Sequence, residues 1–213
     1  MKNAHKLLFI AMAMAMASSA AEAGVLTYQL DDGTGEVGVT MASGNNTWAN
    51  HFTTAAGGDV VDTIQIAFGI GGSSRSLEGQ AVTVKLWSDP NNDGNPSDAS
   101  LLTSAVGTIA NWGTDTFNVF DIMNTYVSGS FFVGATVNYD PHLGLAFAAR
   151  GDNSNPAGGS NSWIGETDAM GIVMASNHIN FMIRASSVPE PAGLALMGIG
   201  LAGLALARRR RNS

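Results

Sequence analysis

The sequence predicts an all-β fold for residues 24–188, an antiparallel β-sandwich of the jelly-roll type. Short runs of β-branched and aromatic residues alternate there with clusters of Gly, Asn, Asp and Ser, a pattern typical of strands separated by turns. No stretch of this body keeps a helical period, and a parallel sheet would need helical crossovers between its strands. We therefore expect antiparallel strands in this body. The segments on either side of it are expected to be an N-terminal signal peptide and a C-terminal transmembrane helix.

About ten strands are expected along the body. In several of them every second residue is apolar, for example Ile64, Ile66 and Phe68. One face of such a strand points into a core while the opposite face is polar. The expected strands comprise residues 25–30, 47–53, 60–68, 82–87, 102–109, 117–122, 129–139, 143–149, 162–165 and 178–185.

The N-terminus has the three regions of a secretory signal peptide. Two lysines precede an apolar run over residues 7–17, and the small residues Ala21 and Ala23 then flank a glutamate. This is the small-x-small pattern that signal peptidase recognises. We expect cleavage after Ala23, which makes residues 1–23 the signal peptide.

A second apolar run follows the body. Residues 192–207 carry no charge and would rise about 24 Å as a helix, against roughly 30 Å for the hydrocarbon core of a bilayer. Arginine snorkelling or local thinning would supply the difference. Basic residues directly after a span stay on the cytoplasmic side, because moving them across lipid is expensive. The residues that form this membrane stop are Arg208, Arg209, Arg210 and Arg211.

Immediately before the span stand Pro189, Glu190 and Pro191. This order of motif, span and basic cluster over residues 189–213 resembles the PEP-CTERM sorting signal of exported bacterial proteins. The resemblance implies cleavage near the motif by an exosortase, transient residence in the inner membrane, and delivery to the surface or extracellular matrix of a Gram-negative-type bacterium. An ordinary C-terminal membrane anchor is the alternative explanation of the same tail.

The body is strongly acidic and lacks cysteine. Between residues 24 and 188, four basic side chains stand against fifteen acidic ones, a formal charge of −11, while the whole chain carries −7. Nucleic acid is therefore a poor partner, because phosphate binding needs clustered Lys and Arg. A body of this sign suits binding of divalent cations, solubility outside the cell, or association with neutral polymers. The absence of cysteine excludes disulfides and thiol chemistry.

One loop, residues 89–98, carries part of a calcium-loop pattern. Oxygen-bearing side chains alternate along it, and Gly94 permits the sharp turn that aims the next carbonyl at a cation. The glutamate that completes an EF-hand is missing, since Ser100 stands at the twelfth position. Residues of these types also form long hairpin loops without any metal. If calcium binds, its role is expected to be structural and its ligands are expected to be Asp89, Asn91, Asp93, Asn95 and Asp98.

Two tryptophans are candidates for stacking on sugar rings. Trp87 is out of phase with the apolar face of its strand and directly precedes the acidic loop, and Trp163 follows a loop rich in Gly, Asn and Ser. An exposed indole offers the flat apolar surface that such stacking uses. Packing is the alternative and the commoner role of aromatic residues, and we assign Trp48 and Trp112 to it.

No catalytic motif stands out in the body. Its histidines are scattered, it has no nucleophile elbow, and no signal selects a carboxylate pair for glycoside hydrolysis. We expect a non-enzymatic exported protein associated with exopolysaccharide or biofilm, with signal peptidase, exosortase and extracellular polysaccharide as partners. Two alternatives stay open: a secreted carbohydrate-active enzyme whose acidic site assembles only in the fold, and a structural surface-layer or matrix protein without sugar recognition.

Overall fold

The computed structural model describes residues 25–41, 43–72, 75–154, 161–165, 174–175 and 179–187. Leu26–Val188 forms one compact unit. The described ranges contain thirteen β-strands and no α-helix, so the predicted all-β class is confirmed. The strands are β1 (Leu26–Tyr28), β2 (Val37–Val39), β3 (Asn45–Thr53), β4 (Val60–Ile66), β5 (Ala81–Ser88), β6 (Ser100–Thr108), β7 (Asn118–Tyr126), β8 (Ser130–Asn138), β9 (Ala149–Asp152), β10 (Ser162–Gly165), β11 (Met174–Ala175), β12 (Asn180–Phe181) and β13 (Ile183–Ser187).

The strands form three sheets in which neighbouring strands are antiparallel. The largest has the order β11-β10-β3-β8-β5-β6, the second has the order β1-β13-β4-β7, and β12-β9-β2 make a small third sheet. The predicted antiparallel sandwich is confirmed, while the third sheet was not expected.

The main core contains side chains from both larger sheets. Ile64, Ile66 and Phe68 are each 0% exposed, as their alternation predicts. Trp48 of the six-stranded sheet meets Phe68 edge-on, with ring centroids 6.1 Å apart. Trp112 is half-buried against the same core. The assignment of Trp48 and Trp112 to packing is therefore confirmed.

The expected strand at 143–149 is absent. Pro141–Leu143 forms a short 3-10 helix, and the carboxylate of its N-cap Asp140 accepts a hydrogen bond from the N–H of His142 at 2.9 Å. Gly144 then adopts a φ of +107°, which lies in the region that favours glycine and does not continue a strand. β9 begins only at Ala149.

The expected strand at 178–185 is two strands, β12 and β13, separated by Met182. The N–H of Met182 donates to the carbonyl of Arg150, and its own carbonyl accepts from the N–H of Ala67. The chain passes at this residue from the three-stranded sheet to the four-stranded one. β2 and β11 were not predicted, because strands of three and two residues are too short to show a period.

The predicted signal peptide, membrane span and arginine cluster lie outside the described residues. Among the residues that are described, no helix has the length and apolar character needed to cross a bilayer.

Candidate functional site

The predicted calcium loop connects β5 to β6. The Oδ1 atoms of Asn91, Asp93 and Asn95 each accept a hydrogen bond from the N–H two residues further along the chain, at 3.0, 2.7 and 3.0 Å. Asn95 thereby caps the short 3-10 helix Pro96–Asp98. Such side-chain bonds to the backbone favour turns, so the local sequence explains the shape of the loop.

Asp89 is the buried centre of this loop, at 2% exposure. Its Oδ1 accepts from the N–H of Asn92 at 3.1 Å and its Oδ2 from the N–H of Gly94 at 2.8 Å. The Nε2 atom of His51 lies 3.9 Å from the same Oδ2. A buried carboxylate is costly unless it is hydrogen-bonded, and these bonds satisfy Asp89. Asn92 also accepts from the N–H of Ser130 at 2.6 Å, which ties the loop to β8.

The loop brings together the three carboxylates among the five predicted ligand residues. One carboxylate oxygen from each of Asp89, Asp93 and Asp98 lies within 4.8 Å of the others. Oxygen ligands of this kind are what Ca²⁺ prefers. The side-chain oxygens of Asn91 and Asn95 accept from loop N–H groups, as those of Asp89 and Asp93 also do. Calcium binding stays a prediction at this cluster.

A second acidic cluster is formed by Asp32, Glu36 and Asp152, whose carboxylate oxygens also lie within 4.8 Å of one another. Asp152 is 0% exposed and accepts from the N–H of Asp32 at 2.9 Å. Hydrogen bonds from the N–H and the hydroxyl of Thr34, and from the hydroxyl of Ser154, lower the pKa of the Asp32 carboxyl below its usual value. The deprotonated, anionic form of Asp32 is thus favoured.

Sequence reasoning missed the second cluster. Asp32 and Asp152 are 120 positions apart, and the pairing of β2 with β9 brings their segments together. No spacing rule connects acidic residues across such a distance. In the sequence each looks like an ordinary turn residue beside Gly or Asn.

For Trp87 the structure shows the packing alternative and not the candidate stacking role. Trp87 is 3% exposed and packs with Ala49 and Phe132 in a small cluster separate from the main core. β5 lies between β8 and β6. Leu86 is buried in the main core on one face of the sheet, and its neighbour Trp87 is buried in the small cluster on the opposite face. An indole buried in this way offers no face to a sugar ring, and packing is its role.

Trp163 lies beside the same cluster but is only half-buried. It faces Ala49 across β10 and β3. In the described part of the chain its buried Nε1 atom has no hydrogen-bond partner. Of the two tryptophans predicted to stack on sugars, it is the one with an accessible surface.

An open cleft of about 450 Å³ lies along β1 and β3. It is lined by residues 26–30, residues 51–53, Ala55 and Asn161. Its volume falls in the range of small-ligand sites, roughly 300 to 1,000 Å³. His51 belongs both to this cleft and to the surroundings of Asp89.

Residues 187–211 match the family model of the PEP-CTERM protein-sorting motif. The match covers the tripeptide, the apolar run and the basic cluster on which the resemblance in the sequence rests. The motif confirms the chain as a PEP-CTERM substrate of an exosortase.

No curated protein matches the chain. Among solved structures, the clostridial cysteine protease Cwp84 after propeptide cleavage is similar, with a TM-score of 0.53 and 15% identity over 81% of this chain and 42% of that one. The second is described as the cysteine protease and lectin-like domains of Cwp84, a surface layer associated protein of Clostridium difficile, with a TM-score of 0.50 and 14% identity over 81% and 37%. The chain spans less than half the length of either, and the likeness concerns the fold alone.

Proposed function

We propose that this exosortase substrate, an exported protein with a PEP-CTERM sorting motif, is a non-enzymatic component of the cell surface or extracellular matrix that associates with exopolysaccharide, as in a biofilm. The proposal is carried by the sorting motif at 187–211, which begins at Ser187, the last residue of β13. The motif indicates export, passage through the membrane, and a surface or extracellular destination. The acidic β-sandwich is the part that would act there.

The fold is compatible with glycan binding. Antiparallel β-sandwiches include lectin domains, and one of the similar structures contains a lectin-like domain beside a cysteine protease. The present chain has no cysteine, so it has no nucleophile for that protease chemistry. Of the two activities that this name indicates for the similar protein, glycan binding is the one that a chain without cysteine could share.

Glycan binding and glycan turnover are tested together. The body, residues 24–188, is incubated with a panel of insoluble polysaccharides such as cellulose, chitin and alginate gel. Retention without release of reducing sugar supports the proposal. Release of reducing sugar would replace it with the carbohydrate-active enzyme, with the carboxylates of the second cluster as first candidates. Failure to bind any member would leave the purely structural matrix protein.

Trp163→Ala is expected to weaken retention on the polysaccharide that binds best. An aromatic side chain supplies a large flat apolar contact area, and the half-buried Trp163 keeps part of this area accessible to a sugar ring. Trp112→Ala is the matched control, because Trp112 is also half-buried but packs on the main core. Retention is measured at a temperature where circular dichroism shows each variant folded. Equal loss of retention in both variants would point to packing and against a stacking role.

We also propose a structural calcium ion at Asp89, Asp93 and Asp98. Three carboxylates within 4.8 Å repel one another in the absence of a cation. Each oxygen of Asp89 accepts one loop N–H, and a carboxylate oxygen has a second lone-pair direction available. The donor set therefore fits a hard cation of the affinity typical of extracellular modules, about 10⁻⁴ to 10⁻³ M.

Calcium at 10 mM is expected to raise the melting temperature of the body by about 3–6 °C. A ligand at about ten times its dissociation constant increases the free energy of unfolding by about 1.4 kcal/mol. Asp93→Asn should reduce this rise, and in the presence of a chelator it should not lower the melting temperature, because it relieves repulsion. The exposed Asp121 on β7 supplies the control Asp121→Asn, which should keep the full rise. If Asp32→Asn abolishes the calcium-induced rise in melting temperature and Asp93→Asn does not, the ion binds at the second cluster and the proposed site is wrong.

A further inference from the structure

The PEP-CTERM match begins inside the folded body. Its first residue, Ser187, is also the last residue of β13. Ser187 is 1% exposed, and Ala185 two positions earlier is 0% exposed. Pro189, the first residue of the tripeptide, is therefore separated from a buried strand by one residue.

β13 lies between β1 and β4. β1 pairs with it over three positions, in which Leu26 faces Ser187 and Tyr28 faces Ala185. The hydroxyl of Ser187 donates to the carbonyl of Leu26 at 3.4 Å. β1 is the outer strand of this sheet, and a short outer strand, with few hydrogen bonds and contacts, opens at the lowest free-energy cost.

Tyr28 anchors β1 to the rest of the body. Its hydroxyl donates to the carbonyl of Gly58 at 2.7 Å and accepts from the N–H of Ala55 at 3.1 Å. Its ring meets Phe131 edge-on, with centroids 5.0 Å apart. Apart from the backbone hydrogen bonds to β13, many of the contacts that hold β1 to the body thus come from the side chain of Tyr28.

A protease needs the residues around the scissile bond to be extended and accessible, so cleavage within folded structure proceeds from the transiently open population. We propose that the pairing of β1 with β13 controls removal of the tail, because the exosortase engages the first residues of the motif only after the end of β13 separates from β1. The opening breaks hydrogen bonds and no covalent bond, and it precedes the peptide cleavage that the motif implies. This control requires processing at the motif and is independent of glycan or calcium binding.

A single engineered disulfide tests this control, since the chain contains no cysteine of its own. Thr27 and Ser186 face each other across β1 and β13, at the separation of paired strands that a disulfide spans. The full-length precursor carrying Thr27→Cys and Ser186→Cys is followed by pulse-chase in exporting cells that contain the exosortase. Tail loss, measured by mass, is expected to be about tenfold slower than in the unsubstituted chain. Reductant should restore the original rate.

The matched control joins two strands away from the tail. Thr47 and Thr136 face each other across β3 and β8, with their hydroxyl oxygens 2.8 Å apart. The pair Thr47→Cys and Thr136→Cys should process at the unsubstituted rate. The proposal is overturned if the oxidised Thr27–Ser186 lock leaves tail loss unchanged, or if the control lock slows it equally.

A flexible spacer before the motif provides a second test, which applies even if the Thr27–Ser186 disulfide does not form. Four residues, Gly-Ser-Gly-Ser, inserted between Val188 and Pro189 give the enzyme a flexible approach to the motif without opening of the sheet. Tail loss should then be several-fold faster. The same insertion after Asn212, beyond the matched segment, is the control and should change nothing. A spacer variant that processes no faster than the unsubstituted chain overturns the proposal.

Discussion

At the scale of single residues, the basic side chains of the body are used to hold the fold together. Arg150 pairs with Asp115 at 2.7 Å and donates to two backbone carbonyls. Arg184 pairs with the buried Asp31 at 2.5 Å and lies over the ring of Phe117 at 4.1 Å. Because the body has only four basic residues, little positive charge remains to neutralise the two acidic clusters. The calcium ion proposed at Asp89, Asp93 and Asp98 would supply a counterion for the first of these clusters.

Tyr28 is expected to make the stability of the body sensitive to high pH. Burial, as the largest cause, raises the pKa of its phenol above the ordinary value of 10.0. A raised pKa in the folded state favours the neutral form, so the stability it contributes is complete below about pH 10 and is lost as pH rises through the folded pKa. Ionisation would also remove the hydrogen bond to Gly58.

The expected measurement is a urea midpoint that falls between pH 9 and pH 11 in the unsubstituted body and falls less in Tyr28→Phe. Tyr126 is 64% exposed on β7, and Tyr126→Phe should keep the original pH dependence. An equal dependence in all three proteins would show that Tyr28 does not link folding to pH.

At the scale of elements, the pairing of β3 with β8 leaves no room for a side chain at Gly134. A Cβ added there would lie 2.0 Å from the carbonyl oxygen of Trp48 and 2.7 Å from the Cβ of Ala49. The first of these is a backbone atom in the middle of the largest sheet, so it cannot move without disturbing the ladder. Gly134 is required for this pairing by close approach, since no unusual backbone angle is involved.

Gly134→Ala is expected to destabilise the body by about 3 kcal/mol through overpacking, and so to lower the melting temperature by about 6–12 °C. Gly71→Ala is the control, because a Cβ there finds its nearest neighbour at 3.7 Å, the carbonyl oxygen of Gly113. Calorimetry compares the two variants. A melting temperature for Gly134→Ala within 2 °C of the control would contradict the close approach.

Strands were predictable where alternation continues over five or more residues. β4, β5 and β8 lie within three residues of their expected bounds because each places one face in the main core. The short strands β2 and β11 carry no period, and the segment before β9 shows β-type residues that the capped Pro141–Leu143 turn overrides. Local propensity is a weak guide where a turn is fixed by capping and tertiary contacts.

At the scale of the whole molecule, the four-stranded sheet is built from both ends of the body. Leu26 of β1 and Ser187 of β13 are 161 positions apart and yet face each other. β13 lies inside this sheet, between β1 and β4. Bringing such distant strands together costs chain entropy, and this cost is offset only when the last strand forms its contacts. We therefore expect that the body cannot complete its fold until residue 187 is present.

A body that ends at Met182, and so lacks β13, is expected to show no cooperative thermal transition. It would leave β1 without a neighbour and expose an edge of β4. A body that ends at Val188 keeps every described strand and should melt in one transition, by near-ultraviolet circular dichroism. Cooperative melting of the shorter body would show that β13 is dispensable.

The β class, the acidic charge, the loop of Asp89 to Asp98 and the sorting tail could be predicted from the amino-acid sequence, because each depends on composition or on short-range spacing. The folded chain was needed to show that Trp87 is buried on the second face of its sheet, that Asp32 meets Asp152, and that the sorting motif begins in a strand paired with β1. These features depend on pairings between segments far apart in the chain. Composition and periodicity describe which face of a strand is apolar, whereas sheet order alone decides what lies opposite it.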